Sequence, residues 1–342
     1  MKYLTRRHFL CSLLLLLTLP FLSCVYATDT DEWCFGVIPD TQWGSADEAP
    51  FYGTAVFVID AIHEEMIRHK VDFVIQVGDL VDRASAIAFQ TRAARNQSLE
   101  EAGIRFYPVR GNHDSGNLEV FRQYKAAFPN LPGNEGCEGS SPDLPGAQGM
   151  TYSFTHKGGK FLLLDTFPVF DGETPRGKAY TIGDMQPWIS EQLQAKDHRF
   201  AMIFSHKNLL GQNHKDNLFG NGDDQDAPQD VQNAFYAALQ ENGVKYCISG
   251  HDHIYHRSNI KSPDGKSEVQ QIICGSASFK FYTPRPPLMS REESLVQEVK
   301  RIGFLIVRVN GQGVKAEYHS TEPFGAEPHT PQWEIRDTFG FP

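Results

Sequence analysis

Between Trp33 and His253 the chain repeats one pattern: an apolar run of strand length, a short polar break, then an amphipathic stretch of helical spacing. Residues 34–39, 73–77, 104–109, 200–204 and 246–249 read as strands, and residues 55–69, 84–102, 120–128, 184–196 and 231–241 as helices. Strand, loop and helix repeated in this way call for right-handed parallel units and an α/β fold. The middle departs from the pattern. Residues 130–149 are dense in Gly, Pro and Ser and read as a long surface loop, and residues 152–154 and 160–165 flank Lys157-Gly158-Gly159 as a β-hairpin. Residues 209–228 form a polar loop without periodicity, and residues 269–274, 304–309 and 314–319 read as antiparallel strands.

Asp40, Asp79, Asn112, His206 and the pair His251/His253 each stand just past one of the parallel strands. In an open α/β sheet the carboxyl ends of such strands share an edge, and ligands bind there. Five polar clusters distant in sequence are therefore expected to meet in one crevice. Taken singly, an Asp after a strand is a helix cap or a turn former, and a lone His is a structural residue. Five in succession are a site. Carboxylate, imidazole and amide oxygen together suit manganese, iron or zinc. A central carboxylate, as Asp79 would be, bridges two divalent ions ~3.5–4 Å apart.

Gly78-Asp79-Leu80-Val81-Asp82, Gly111-Asn112-His113-Asp114, Ser205-His206 and Gly250-His251-Asp252-His253 resemble, in order and spacing, the motif set of the calcineurin-like metallophosphoesterases. The resemblance implies an αββα sandwich of two mixed β-sheets flanked by helices. It implies a phosphoric ester hydrolase with two divalent metal ions, a metal-held hydroxide as nucleophile and a small phosphorylated substrate. Asp40, Asp79 and His253 would hold the first ion, and Asp79, Asn112, His206 and His251 the second. His113 would be the general acid, with Asp114 orienting it and raising its pKa, or capping a helix. The first motif departs from the family's Asp-x-His, reading Asp40-Thr41-Gln42. The purple acid phosphatase branch places a tyrosine where this chain has Asp82, so that branch is not expected. Gln42 is left as a weak amide ligand, a partner to metal-bound water, or a loop residue. That departure motivates the alternative, a catalytically weakened phosphate- or nucleotide-binding protein on the same fold. His256, Arg257, His214, Lys207 and the aromatic group Phe279, Phe281 and Tyr282 lie close enough in sequence to reach a substrate.

The N-terminus points to export. Lys2, Arg6 and Arg7 precede an apolar run over residues 9–25, interrupted by Pro20, and Val25-Tyr26-Ala27 offers a signal-peptidase site. Thr5-Arg6-Arg7-His8-Phe9-Leu10 resembles a twin-arginine signal, and Leu22-Ser23-Cys24 weakly a lipoprotein box. The expectation is a signal peptide over residues 1–27 and one metallophosphoesterase domain over residues 28–342, periplasmic or secreted, with no transmembrane segment in the mature chain. Removing those three basic residues from 32 leaves 29 against 42 acidic ones. An acidic body of this kind disfavours nucleic acid and anionic membrane, whereas bound dications still permit a phosphate substrate. Of the cysteines outside that segment, Cys34, Cys247 and Cys274 lie in apolar runs and read as core thiols, with Cys137 in the surface loop.

Overall fold

A computed structural model describes residues 32–44, 53–221, 228–285, 291–325 and 330–342. The expected signal peptide and its twin-arginine stretch lie outside the described residues. Chain order begins β1 (Trp33–Ile38), α1 (Val56–His69), β2 (Phe73–Val77), α2 (Ala86–Ala94), α3 (Gln97–Glu101), β3 (Arg105–Val109) and α4 (Leu118–Ala127). It continues with β4 (Tyr152–His156), β5 (Gly159–Leu164), α5 (Ile182–Gln194), β6 (Phe200–Ser205), α6 (Gln229–Glu241) and β7 (Tyr246–Ser249). The tail supplies β8 (Tyr255–Lys261), β9 (Glu268–Cys274), β10 (Glu292–Glu298), β11 (Ile302–Asn310), β12 (Gly313–Thr321) and β13 (Glu334–Phe341). Among the described residues no helix is long and apolar enough to cross a membrane.

Two mixed sheets result, ordered β13-β12-β11-β1-β2-β3 and β10-β8-β9-β7-β6-β5-β4. In the first, β1, β2 and β3 run parallel, and the β11–β12–β13 meander is antiparallel to them at β1. In the second, β5, β6, β7 and β9 are parallel. Period-two alternation explains how the first sheet is covered on both faces. Phe35, Val37, Phe73 and Ile75 enter the large core between the sheets, while Cys34, Ile38 and Val74 pack beneath Val58, Ile62 and Met66 of α1. The inter-sheet core is aromatic: the Phe161 ring meets Phe35 at 5.2 Å and Phe73 at 5.1 Å, and Tyr107 stacks on Phe154 at 4.1 Å. The β4–β5 hairpin turns on Lys157 and Gly158, both at positive φ (43° and 82°), the backbone that a two-residue turn of matching twist demands.

Three expectations are corrected. The helix over 84–102 is two, α2 and α3, because the Arg95 carbonyl is taken by buried His63 of α1 (Nδ1 at 3.0 Å). The strand over 269–274 is antiparallel to β8 but parallel to β7. His256 and Arg257, which could reach a substrate or form a solvated pair, are instead paired residues of β8. His256 Nε2 bonds Ser294, and Arg257 grips Asp337 of β13 at 2.7 Å.

Candidate metal centre

The strand ends sort by chemistry. Asp40, Asp79 and Asn112 follow β1, β2 and β3 of the first sheet, whereas His206, His251 and His253 follow β6 and β7 of the second. Face-to-face packing brings oxygen ligands and imidazoles together. Ligand atoms of Asp79, His206 and His251 lie within 4.8 Å of one another, as do those of Asp40, Asp79 and His253. Asp79 belongs to both groups, and all five residues are buried.

Outer hydrogen bonds decide which nitrogen each ring has to give. His206 Nδ1–H donates to the Val77 carbonyl at 2.9 Å, so its Nε2 lone pair faces Asn112 Oδ1 at 3.0 Å and Asp79 Oδ2 at 3.4 Å. His253 Nδ1–H donates to the Lys280 carbonyl at 2.9 Å and turns Nε2 to Asp40 Oδ1 at 3.4 Å. His251 gives Nε2–H to Asp216 at 3.1 Å and keeps Nδ1 free to coordinate. Lone pairs thus face lone pairs in a buried space, an arrangement that calls for a cation. Without one the charges are ill at ease. Burial pushes Asp40 up to about 8, opposed by the His206 charge. Burial works against a charged His206 ring too, yet the Asp79 and Asp40 carboxylates raise it to about 10. A dication would supply the positive charge that this ring otherwise takes from a proton.

The backbone is bent to fit. Asp79, His251 and His253 have φ of 46°, 72° and 48°, left-handed conformations uncommon in side-chain-bearing residues. They are held by bonds within the first sheet and across to the second. The Asp79 carbonyl accepts from Thr41 and Gln42 N–H (3.1 and 3.0 Å), and the His251 N–H donates to Asp40 at 3.0 Å. The motif glycines are clearance. A Cβ on Gly111 would collide with the Asp79 carboxylate, one on Gly250 with Asp40 Oδ2, and one on Gly78 with the His206 ring. Gly250→Ala is therefore expected to weaken manganese or zinc affinity by about 10–100-fold, the usual cost of disturbing a ligand's support. Titration calorimetry reads this, and wild-type affinity would contradict it.

Residues 35–255 match the calcineurin-like phosphoesterase family. The chain belongs to that family. Among solved structures the chain is similar to purple acid phosphatase PPD1 from yellow lupin seeds, with 14% identity and a TM-score of 0.60. The match covers 92% of this chain and 54% of that one, so this chain spans about half the lupin protein's length. It is similar also to PhoD (12% identity, TM-score 0.60, 91% and 69% of the two chains). GAP50, the anchor in the inner membrane complex of Plasmodium, is a third (16% identity, TM-score 0.52, 89% and 88% covered). At these identities the likeness is one of fold. No curated protein matches the chain.

The remaining expected residues fall in three places. Gln42 is buried at the centre, its Nε2 2.9 Å from His253 Nε2 and its Oε1 without a partner. A half-turn of the amide would aim that oxygen at the Asp40–Asp79–His253 group. His113 lies at the rim, its N–H donating to Asp79 Oδ1 at 2.9 Å and its Nδ1 to the Asp82 carbonyl at 2.5 Å. Asp114 departs from expectation. Its carboxylate accepts from the N–H groups of Gly111, Leu80 and Val81 (2.8, 3.0 and 3.2 Å), so it ties the loop after β3 to the loop after β2, and Asp82 holds the His113 ring instead.

Sequence reasoning gave Asp82, Asp216 and Asp252 no role at the centre. Lys207 pairs with Asp216 at 3.1 Å, behind His251. Asp252 collects the Nδ1–H of His214 at 2.7 Å and the amide of Asn208 at 2.8 Å, and the His214 ring stacks on His251 at 3.9 Å. Asp252 carried a signal, since it stands between the two motif histidines His251 and His253. Asp216 carried none, lying in an aperiodic polar loop.

Proposed function

We propose that this phosphoesterase hydrolyses phosphate esters at a dinuclear centre. Asp40, Asp79 and His253, with Gln42 beside them, would hold one divalent ion, and Asp79, Asn112, His206 and His251 the other. The observation that carries the reading is Asp79, one carboxylate common to two compact ligand groups. Bound divalent ions would polarise the phosphoryl oxygens and lower the pKa of the attacking water. The protein's own part is orientation and proton delivery. With Nδ1–H committed to the Asp82 carbonyl, His113 presents Nε2 as the atom that passes a proton to the leaving oxygen. Its backbone bond to Asp79 fixes that imidazole relative to the bridging carboxylate. The basic, apolar and small-x-small order of residues 1–27 supports export to the periplasm or beyond.

The test is a phosphate-release screen over mono- and diesters, with metal analysis of the same sample. Turnover is expected to vanish in chelator and return with manganese or zinc. His113→Ala is expected to lower kcat about 10²–10⁴-fold on alkyl esters. The loss should shrink on nitrophenyl esters, whose leaving group needs no proton. An equal loss on both would remove His113 as the acid. Gln42 favours a second reading: with a neutral amide where the family has histidine, a weakened site would bind phosphate without turnover. Binding of inorganic phosphate with no hydrolysis in the same screen would select it.

A further inference from the structure

Beyond the ligands, one wall of the centre has no place in the chemistry above. Trp43 follows Gln42 directly, in a left-handed conformation (φ 69°), and its indole is 52% exposed. Its carbonyl accepts the Phe279 N–H at 3.3 Å, joining the loop after β1 to residues 276–282. That segment is anchored to the centre, because the Lys280 carbonyl is the acceptor for His253 Nδ1. The Lys280 ammonium lies 5.1 Å from the Trp43 ring centroid and 5.4 Å from that of Tyr282. Tyr282 in turn stands edge-on to His253 at 5.2 Å and to His214 at 5.0 Å. An aromatic wall therefore runs from a ligand histidine outward to an exposed indole, with a cation set between its rings. Phe279 and Phe281 differ: they pack against the core under α1.

Resting on the phosphoesterase reading, we propose that Trp43, Lys280 and Tyr282 form the subsite for the non-phosphate part of the substrate. It takes esters that carry a planar ring, with nucleotides as the class. The half-exposed indole leaves a flat π face open, and such faces pair in offset stacks with other planar rings. A nucleobase offers such a face, and stacking on an aromatic is indifferent to which base it is. The ammonium between the rings adds attraction for a substrate that is anionic as a whole.

Adenosine 5′-monophosphate and ribose 5-phosphate share the same phosphate and the same leaving oxygen and differ by the base. Both are bound to the manganese-loaded protein by calorimetry, and their hydrolysis is followed in parallel. A monophosphate is also the product form of a nucleotide diester, so binding reads the subsite whichever ester is cleaved. The protein is expected to prefer the nucleotide by about tenfold or more. Trp43→Ala and Tyr282→Ala should bring that ratio towards one, while Trp43→Phe, which keeps a flat ring, retains part of it. A wild-type ratio near one, or a ratio that survives both alanine variants, overturns the subsite and leaves the phosphoesterase reading standing. Failure to bind or hydrolyse either probe or any other ester overturns both.

Discussion

Asp79→Asn is expected to lower kcat/KM by about 10³-fold or more while the fold is kept. Losing an outer partner of a metal ligand costs ~10–100-fold, and Asp79 is common to both ligand groups, so its loss acts on both. The substitution is nearly isosteric. Asparagine keeps an Oδ1 to accept the His113 N–H, which Asp79 now receives at 2.9 Å, and its carbonyl still caps Thr41 and Gln42. What goes is the charge. The carboxylate is held well below the usual range: its burial is more than offset by His206. Metal content, circular dichroism and kcat/KM on one preparation decide the matter. Wild-type turnover with one ion fewer would show that a single ion suffices.

Arg110→Ala is expected to be the most damaging change to stability, at about 3–5 kcal/mol, because it strands a buried carboxylate. Arg110 ends the run out of β3 and Asp165 follows β5, so their fork joins the two sheets. Nε lies 2.6 Å and Nη2 3.2 Å from the carboxylate, with both side chains essentially inaccessible. The guanidinium also donates to the carbonyls of Pro168 (3.1 Å) and Phe167 (3.4 Å), leaving little of it unsatisfied. Urea denaturation measures the loss. The double variant Arg110→Met/Asp165→Leu is the control. It removes both charges, so it should recover most of the stability. A single variant no worse than the double would mean that Asp165 finds water or another partner. Because Gly111-Asn112-His113 follows immediately, the single variant should also loosen metal affinity.

Much of the centre was legible because its residues are constrained twice. Asp79 and His251 must be at strand ends and must also follow a glycine, and both requirements leave marks in a linear string. The double sheet left no such mark. A run such as Phe200–Ser205 is equally apolar whether it lies in one central sheet or faces another, so strand-end reasoning placed six candidate ligands on a single edge when two edges supply them. The strands missed, β8, β10 and β13, are polar in sequence because β10 and β13 are edges and β8 carries paired side chains such as Arg257. Asp114 was misread for a related reason. Adjacency to His113 suggested contact, but neighbouring side chains diverge, and Asp114 turns inward to backbone N–H groups three residues and a whole strand away. The partners that choose each tautomer, Val77, Lys280 and Asp216, act largely through carbonyls, which no residue type announces.

The division of ligands between sheets has a consequence for the life of the protein. Oxygen donors sit on one sheet and imidazoles on the other, so any ion in the centre is a rivet through the seam of the sandwich. Binding free energy of that kind is folding free energy: ligand at 100 times its dissociation constant adds about 2.7 kcal/mol. The same molecule is thus sturdier in a metal-rich compartment than in a metal-poor one. Its survival against proteases would then track the supply of any ion that the centre binds.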